Sequence, residues 1–110
     1  MKLYWYAGCS TCKKARKHLG GRDVTVVELK TDPPTAAELA DLHGRSGLPL
    51  KKFFNVAGQS YRGGGFKDRI GSMTDQDKYE ALVADSMLIK RPILDLGDRV
   101  LVGFKEADWP

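Results

Sequence analysis

Cys9 and Cys12 are the two cysteines of the chain, and they stand in a C-x-x-C spacing within Gly8-Cys9-Ser10-Thr11-Cys12-Lys13-Lys14. In a reducing compartment such a pair serves redox exchange or binds metal more often than it forms a structural bridge. The run lies where a strand gives way to a helix. A cysteine there faces unpaired backbone N–H groups and the positive end of the helix dipole. Both favour the thiolate, which is the attacking species, and Lys13 and Lys14 add positive charge nearby. Cys9 is therefore the candidate nucleophile. Cys12, three residues on, can attack a mixed disulfide formed on Cys9 and is the candidate resolving cysteine. Ser10, Thr11 and Lys13 surround the pair and are candidates for binding substrate or shaping the site. Two plainer readings compete. The spacing is half a zinc site, which His18 and His43 would have to complete, but structural zinc usually takes two pairs in a recognisable rhythm and His18 faces the charged side of its helix. No metal is expected. Alternatively, Cys12 is a small core residue on the helix's apolar face.

A second candidate is Leu88-Ile89-Lys90-Arg91-Pro92-Ile93. Proline directly before a strand suits a sharp turn, and an X-Pro bond at such a turn is a candidate for the cis form. Arg91 is placed to orient an anion or a thiolate. The plain alternative is a surface arginine before a helix-stopping proline. Arg62, Lys67 and Arg69 read as a solvated basic loop. Phe53, Phe54 and Tyr61 read as core aromatics. Gly63-Gly64-Gly65 is not a phosphate loop, because no Lys-Ser/Thr follows it.

The elements that hold these residues follow from periodicity. Lys2 to Tyr6 reads as a short strand entering the thiol motif. Cys12, Ala15 and Leu19 make the apolar stripe of a helix that ends at Gly20-Gly21. Val24 to Leu29 is a β-branched run suited to a buried strand, completing a βαβ unit. Thr35-x-x-Glu38 is a capping box for a helix with Ala36, Leu39, Ala40 and His43 on one face, closed by Gly44. Leu48-Pro49 begins a short helix carrying Leu50, Phe53 and Phe54. Thr74 caps a third helix with Tyr79, Leu82, Val83 and Ser86 on one face. Ile93–Leu96 and Arg99–Val102 form a hairpin about Gly97-Asp98. Glu106 to Trp109 begins a last helix.

Composition agrees with this plan. The chain has 110 residues, 42% of them apolar and 29% charged, which argues for a folded domain and against disorder. A chain of this size buries roughly two-thirds of its unfolded surface. The whole of it, 1–110, reads as one domain, with 1–32 and 88–110 forming a sheet core and 33–87 a helical insertion. The formal charge of +4 permits an anionic partner without demanding nucleic acid, and no direct nucleic-acid contact is expected. No stretch is long and apolar enough to span a membrane, and a thiol motif interrupts the short apolar N-terminal run. A cytoplasmic location is expected.

A C-x-x-C after the first strand, with Arg91-Pro92-Ile93 at the start of the third, resembles the thioredoxin-fold arsenate reductase family, which includes Spx-type regulators. Pro33-Pro34-Thr35 with Glu38-Leu39, Leu50 to Asn55, Tyr61, Met87 to Ile93, and Val102-Gly103-Phe104 also stand in the family's order. The resemblance covers essentially the whole chain and is best to the short C-x-T-C members. It implies an α/β fold: a thioredoxin-like mixed four-stranded sheet with a helical insertion between the second and third strands. Cys9 then matches the reductases' nucleophile, Arg91 the arginine before their cis-proline, and Pro92 that proline. Two further arginines that grip the oxyanion have no match: one place holds Asn55 and the other falls in Leu101-Val102-Gly103-Phe104. Trp5 stands where the reductases have a histidine. At about 1.5–3 kcal/mol per charge-assisted bond, efficient arsenate reduction is not expected. What the resemblance implies instead is thiol–disulfide exchange without a bound cofactor. Glutathione would be a co-substrate, or a glutaredoxin or thioredoxin-type protein the electron donor, and Arg91 would steady the thiolate or a glutathione carboxylate. The Spx branch implies an alternative, a redox-switched regulator that binds RNA polymerase.

Overall fold

A computed structural model describes all 110 residues. Strands β1 (Lys2–Trp5), β2 (Thr25–Glu28), β3 (Ile93–Asp95) and β4 (Val100–Val102) form one sheet in the order β2-β1-β3-β4. β1 runs parallel to β2 and antiparallel to β3, and β3 runs antiparallel to β4. The parallel pair requires a crossover, which helix α1 (Ser10–Leu19) supplies. The antiparallel pair β3–β4 needs only a tight turn: Leu96 N–H donates to Arg99 O at 2.9 Å, and Gly97 takes φ +91, a region open to glycine. The mixed four-stranded sheet with its helical insertion between β2 and β3 is as the sequence predicts.

Successive strand residues point to opposite faces, and this splits the core in two. Leu3 and Leu94 face α1, packing with its Ala15 and Leu19 and with Trp109. Tyr4 and Ile93 face the insertion, packing with residues such as Leu39, Phe53, Phe54 and Leu82. The stripe expected on α1 is the one observed, with Cys12, Ala15 and Leu19 its buried residues.

The insertion holds α2 (Ala36–Ser46), α3 (Gln59–Gly63), α4 (Phe66–Arg69) and α5 (Asp75–Ala84), joined through short 3₁₀ turns. Thr35 and Glu38 close a full capping box on α2, and Thr74 with Asp77 close another on α5. Leu50–Phe53 is a single 3₁₀ turn, and Phe53, Phe54 and Tyr61 are core residues. Arg45 ties α2 to β3: its guanidinium reaches both Asp95 carboxylate oxygens at 2.6 and 2.9 Å and Asp41 at 2.7 Å.

Several boundaries differ from the sequence reading. α2 runs through Gly44 and stops at Gly47, which takes the left-handed φ of 68 that a C-cap needs. A glycine inside a helix costs only about 1 kcal/mol, so Gly44 does not end one. β2 is an edge strand, so its residues are exposed or partly buried, and the fully buried position is Leu29 just beyond it. On α5 only Leu82 is fully buried; Val83 is 37% exposed, and the helix ends before Ser86. The basic residues Arg62, Lys67 and Arg69 are exposed as expected, on short helices rather than a loop. Near the C-terminus, Glu106–Asp108 is a 3₁₀ turn. Trp109 beyond it is buried, with its Nε1–H donating to Gly103 O at 3.1 Å and its ring set edge-on to Phe104 at 5.0 Å. No helix is long and apolar enough to cross a membrane.

Candidate functional site

β1 ends at Trp5, and Tyr6-Ala7-Gly8 carries the chain over the top of the sheet to Cys9, the N-cap of α1. Two bonds shape this turn. Cys9 N–H donates to Tyr6 O at 2.9 Å, and Ala7 N–H donates to the Glu28 carboxylate at 3.1 Å. Cys9 itself has extended backbone, φ −92 and ψ 121, as an N-cap residue should. Both cysteines are free thiols; Cys9 is partly accessible and Cys12 is fully buried.

The two thiols differ in acidity. Burial pushes the Cys9 thiol up, but opposing influences outweigh it and leave its pKa below the ordinary 9.0. These are the backbone N–H of Cys12, the Cys12 thiol, the backbone N–H of Thr11 and the Arg91 guanidinium. The neutral Cys9 sulfur makes no capping bond of full hydrogen-bond geometry, yet the N–H groups at the helix start still favour charge on it. For Cys12 burial wins. Its thiol is pushed up to about 12, chiefly by desolvation, against a backbone bond from Tyr6, and the hydrogen bond and charge of Cys9 raise it further. Of the two, Cys9 is the thiol that loses its proton first, and Cys12 is the one that keeps it.

Arg91 and Pro92 reach this site because of strand order. Tyr4 on β1 pairs with Ile93 on β3, so the residues that enter β3 lie beside those that leave β1. The Arg91-Pro92 bond is cis, and Pro92 is buried. Arg91 donates through Nη1 to Met87 O at 2.9 Å and Ile89 O at 3.3 Å, and its guanidinium lies 5.4 Å from the centroid of the Tyr6 ring. Arg91 is thus a held cation beside the thiols and not a solvated surface arginine.

A cleft of about 380 Å³ opens next to the motif, lined by Thr11, Leu48, Lys52, Lys90, Arg91, Val102, Gly103, Phe104 and Lys105. Ser10, Thr11 and Lys13 are all exposed, and Thr11 is the one of them that lines the cleft. The Lys13 side chain is exposed to solvent, and Arg91 is the cation among the chief influences that lower the Cys9 pKa. The histidines considered as zinc ligands are engaged elsewhere. His18 is half-buried against Phe104 and meets Pro110 O at 3.0 Å, so it does not face the charged side of α1. His43 meets the Tyr79 hydroxyl at 2.7 Å. No three metal-ligating side chains converge anywhere in the chain.

Two residues of the site escape the sequence reading. Tyr6 packs its ring so closely over Gly8 that a Cβ there would lie 2.8 Å from it, and the ring also meets Arg91. Glu28 holds the turn through Ala7, with its other carboxylate oxygen buried and unpartnered. Adjacency to the C-x-x-C was the available signal for Tyr6. Glu28 offered none, since its approach depends on the β1–β2 register.

The sheet order, the thiol pair at the start of α1 and the cis-proline opposite it define a thioredoxin-like protein of the thiol oxidoreductase type. A model of the ArsC family matches residues 4–110, and the chain belongs to that family. The uncharacterized protein YusI of Bacillus subtilis (strain 168) is 43% identical over 111 residues, covering 99% of this chain and 94% of that protein. Among solved structures, an ArsC family related protein from Bacteroides fragilis superposes with a TM-score of 0.93 at 36% identity, covering 98% of this chain and 92% of that one. A possible arsenate reductase from Streptococcus mutans UA159 superposes with a TM-score of 0.87 at 37% identity, covering 94% and 90%.

Proposed function

We propose that the chain is a thiol–disulfide oxidoreductase in which Cys9 attacks and Cys12 resolves. The split acidity of two neighbouring thiols carries this reading, Cys9 below its ordinary value and Cys12 raised to about 12. The Cys9 thiolate attacks one sulfur of a substrate disulfide; that S–S bond breaks and the other sulfur leaves as a thiolate. Once Cys9 is in a mixed disulfide it carries no charge, so its contribution to the raised Cys12 value is gone. Cys12 then gives up its proton and attacks the Cys9 sulfur. The second substrate thiol departs, and the protein holds a Cys9–Cys12 disulfide, oxidised by two electrons. Glutathione, or a glutaredoxin or thioredoxin-type dithiol, reduces it again, in the reducing cytoplasm and without a bound cofactor or metal. Arg91 steadies the thiolate or an anionic group of the substrate, and Ser10, Thr11, Lys13 and Pro92 shape the approach.

Efficient arsenate reduction is not part of the proposal. The cleft is richer in cations than the arginine positions suggest, but Lys52, Lys90 and Lys105 are point charges without the planar fork that grips an oxyanion bidentately. A switch that binds RNA polymerase would use the same disulfide; a cleft lined by Thr11 of the motif and by Arg91 favours turnover. The test is a glutathione redox titration followed by thiol trapping and tryptophan fluorescence. A reversible two-electron transition at roughly −200 to −270 mV is expected. If no Cys9–Cys12 disulfide forms at any poise, Cys12 is not a resolving cysteine and the proposal falls.

A further inference from the structure

We infer that the cleft that meets the thiol motif at Thr11 and Arg91 selects the substrate by charge: the disulfide brought to Cys9 is carried on an extended, acidic segment of a partner protein. This rests on the thiol–disulfide reading above and names the substrate class. Four cations, Lys52, Lys90, Arg91 and Lys105, line the cleft, and no carboxylate does. An adjoining cleft of about 330 Å³ shares Lys52 and Lys90, adds Lys51, and again has no acidic wall. Val56, 49% exposed, also lines it and offers an apolar contact. The ion pairs of the molecule involve His18 and Arg45, so none of these lysines is neutralised by a carboxylate.

The arrangement is built into the backbone. Lys90 N–H donates to Phe53 O at 2.7 Å and Asn55 N–H donates to Leu88 O at 2.7 Å, with Phe54 bridging Ile89 between them. Those bonds set the stems of Lys52 and Lys90 on neighbouring segments. The Lys90 Cε lies 3.6 Å from where a Cβ on Gly103 would stand, so the lysine lies across Gly103 at the cleft wall. The lysines are exposed, so solvent screens their mutual repulsion, but a cleft lined by one sign of charge still focuses its field on an anionic ligand. A small thiol with two carboxylates would engage two cations. Five cations spread along two joined clefts match a longer anionic chain, and the exposed Val56 suits an apolar side chain within it.

The test is single-turnover reduction by the fully reduced protein, with no recycling reductant, so that each Cys9–Cys12 pair gives two electrons once. Peptides with the same disulfide and acidic, neutral or basic flanks are compared with oxidised glutathione and with uncharged hydroxyethyl disulfide. The acidic peptide is expected to react at least about tenfold faster than the basic one at low salt, with the gap narrowing as salt rises. In the triple variant Lys52→Gln, Lys90→Gln, Lys105→Gln, the acidic-to-basic ratio falls toward one. That ratio is internal to each protein, so general damage to folding or activity cancels. Equal rates for the peptides, an unchanged ratio in the variant, or faster reduction of oxidised glutathione than of the acidic peptide would each overturn the inference. If no disulfide is reduced at all, the thiol–disulfide reading is what fails. The cleft is then judged by anisotropy of a labelled acidic peptide with the Cys9→Ser protein, where absence of salt-sensitive binding overturns it.

Discussion

Limiting alkylation separates the two thiols most directly. At pH 7 a thiol with a pKa of about 12 is ionised roughly once in 10⁵ molecules. A thiol below 9.0 is ionised at least about once in a hundred. The thiolate populations thus differ by about 10³ or more. The more basic thiolate is intrinsically the better nucleophile, and a Brønsted slope of about 0.4–0.5 returns roughly 20- to 30-fold of that difference. Cys9 should therefore react at least about thirtyfold faster than Cys12, and the complete burial of Cys12 widens the gap. The assay adds less than one equivalent of iodoacetamide to the reduced protein and locates the label by peptide mass spectrometry, repeated across pH. The Cys9 rate should reach half its plateau below pH 9.0, the ordinary value for a thiol. In Cys9→Ser the Cys12 thiol loses the hydrogen bond and charge that help raise it, and it should label faster than in the parent, while burial still keeps it slow. Comparable labelling of the two cysteines, or labelling of Cys12 first, would refute the assignment of nucleophile and resolver.

Arg91→Gln removes a cation acting on Cys9, so the midpoint of the Cys9 alkylation profile should move to higher pH; an unmoved midpoint would mean that the helix-start N–H groups and the Cys12 thiol suffice without it. Cys12 has a folded pKa raised above its unfolded value, so its stabilising contribution is full below about pH 9 and is lost as pH climbs toward 12. Urea unfolding should show the parent losing stability against Cys12→Ala across that window by up to about 1.4 kcal/mol per pH unit, and parallel curves would contradict it. Asp95 is held below its usual range, first by its hydrogen bonds to Arg45, so it stabilises the fold above the unfolded carboxylate value and stops doing so as pH falls through its own lower one. Asp95→Asn should cost about 2 kcal/mol at pH 7, a Tm decrease of roughly 8 °C or more, and the gap should close in acid. A constant gap from pH 7 to pH 3 would show that packing rather than charge was lost.

Much of the fold is legible in the sequence because it is decided over a few residues. The stripe of Cys12, Ala15 and Leu19, the capping boxes at Thr35 and Thr74, and the Gly97-Asp98 turn are local devices, and each appears where its pattern puts it. Placement of Cys9 at the head of α1 belongs with them, and so does the expectation of an activated thiol, since a helix start carries its unpaired N–H groups wherever it lies. Boundaries were less legible where local signals compete: Gly44 looked like a stop, but the left-handed turn falls at Gly47.

The surroundings of the thiols depend on which strands become neighbours. Arg91 and Cys9 are far apart in the chain, and only the β1–β3 pairing brings the entry to one strand beside the exit from the other. Lys52, Lys90 and Lys105 come from three separate segments, so no clustering in the sequence marks them; Arg62, Lys67 and Arg69, which do cluster in sequence, lie outside the cleft. The sequence by itself determined which thiols stand at the start of a helix, because the C-x-x-C spacing and helix capping act within a few ångströms along one segment. The tertiary structure alone decided which charges those thiols face, because electrostatic neighbours are set by distance through space, and sheet order controls that distance.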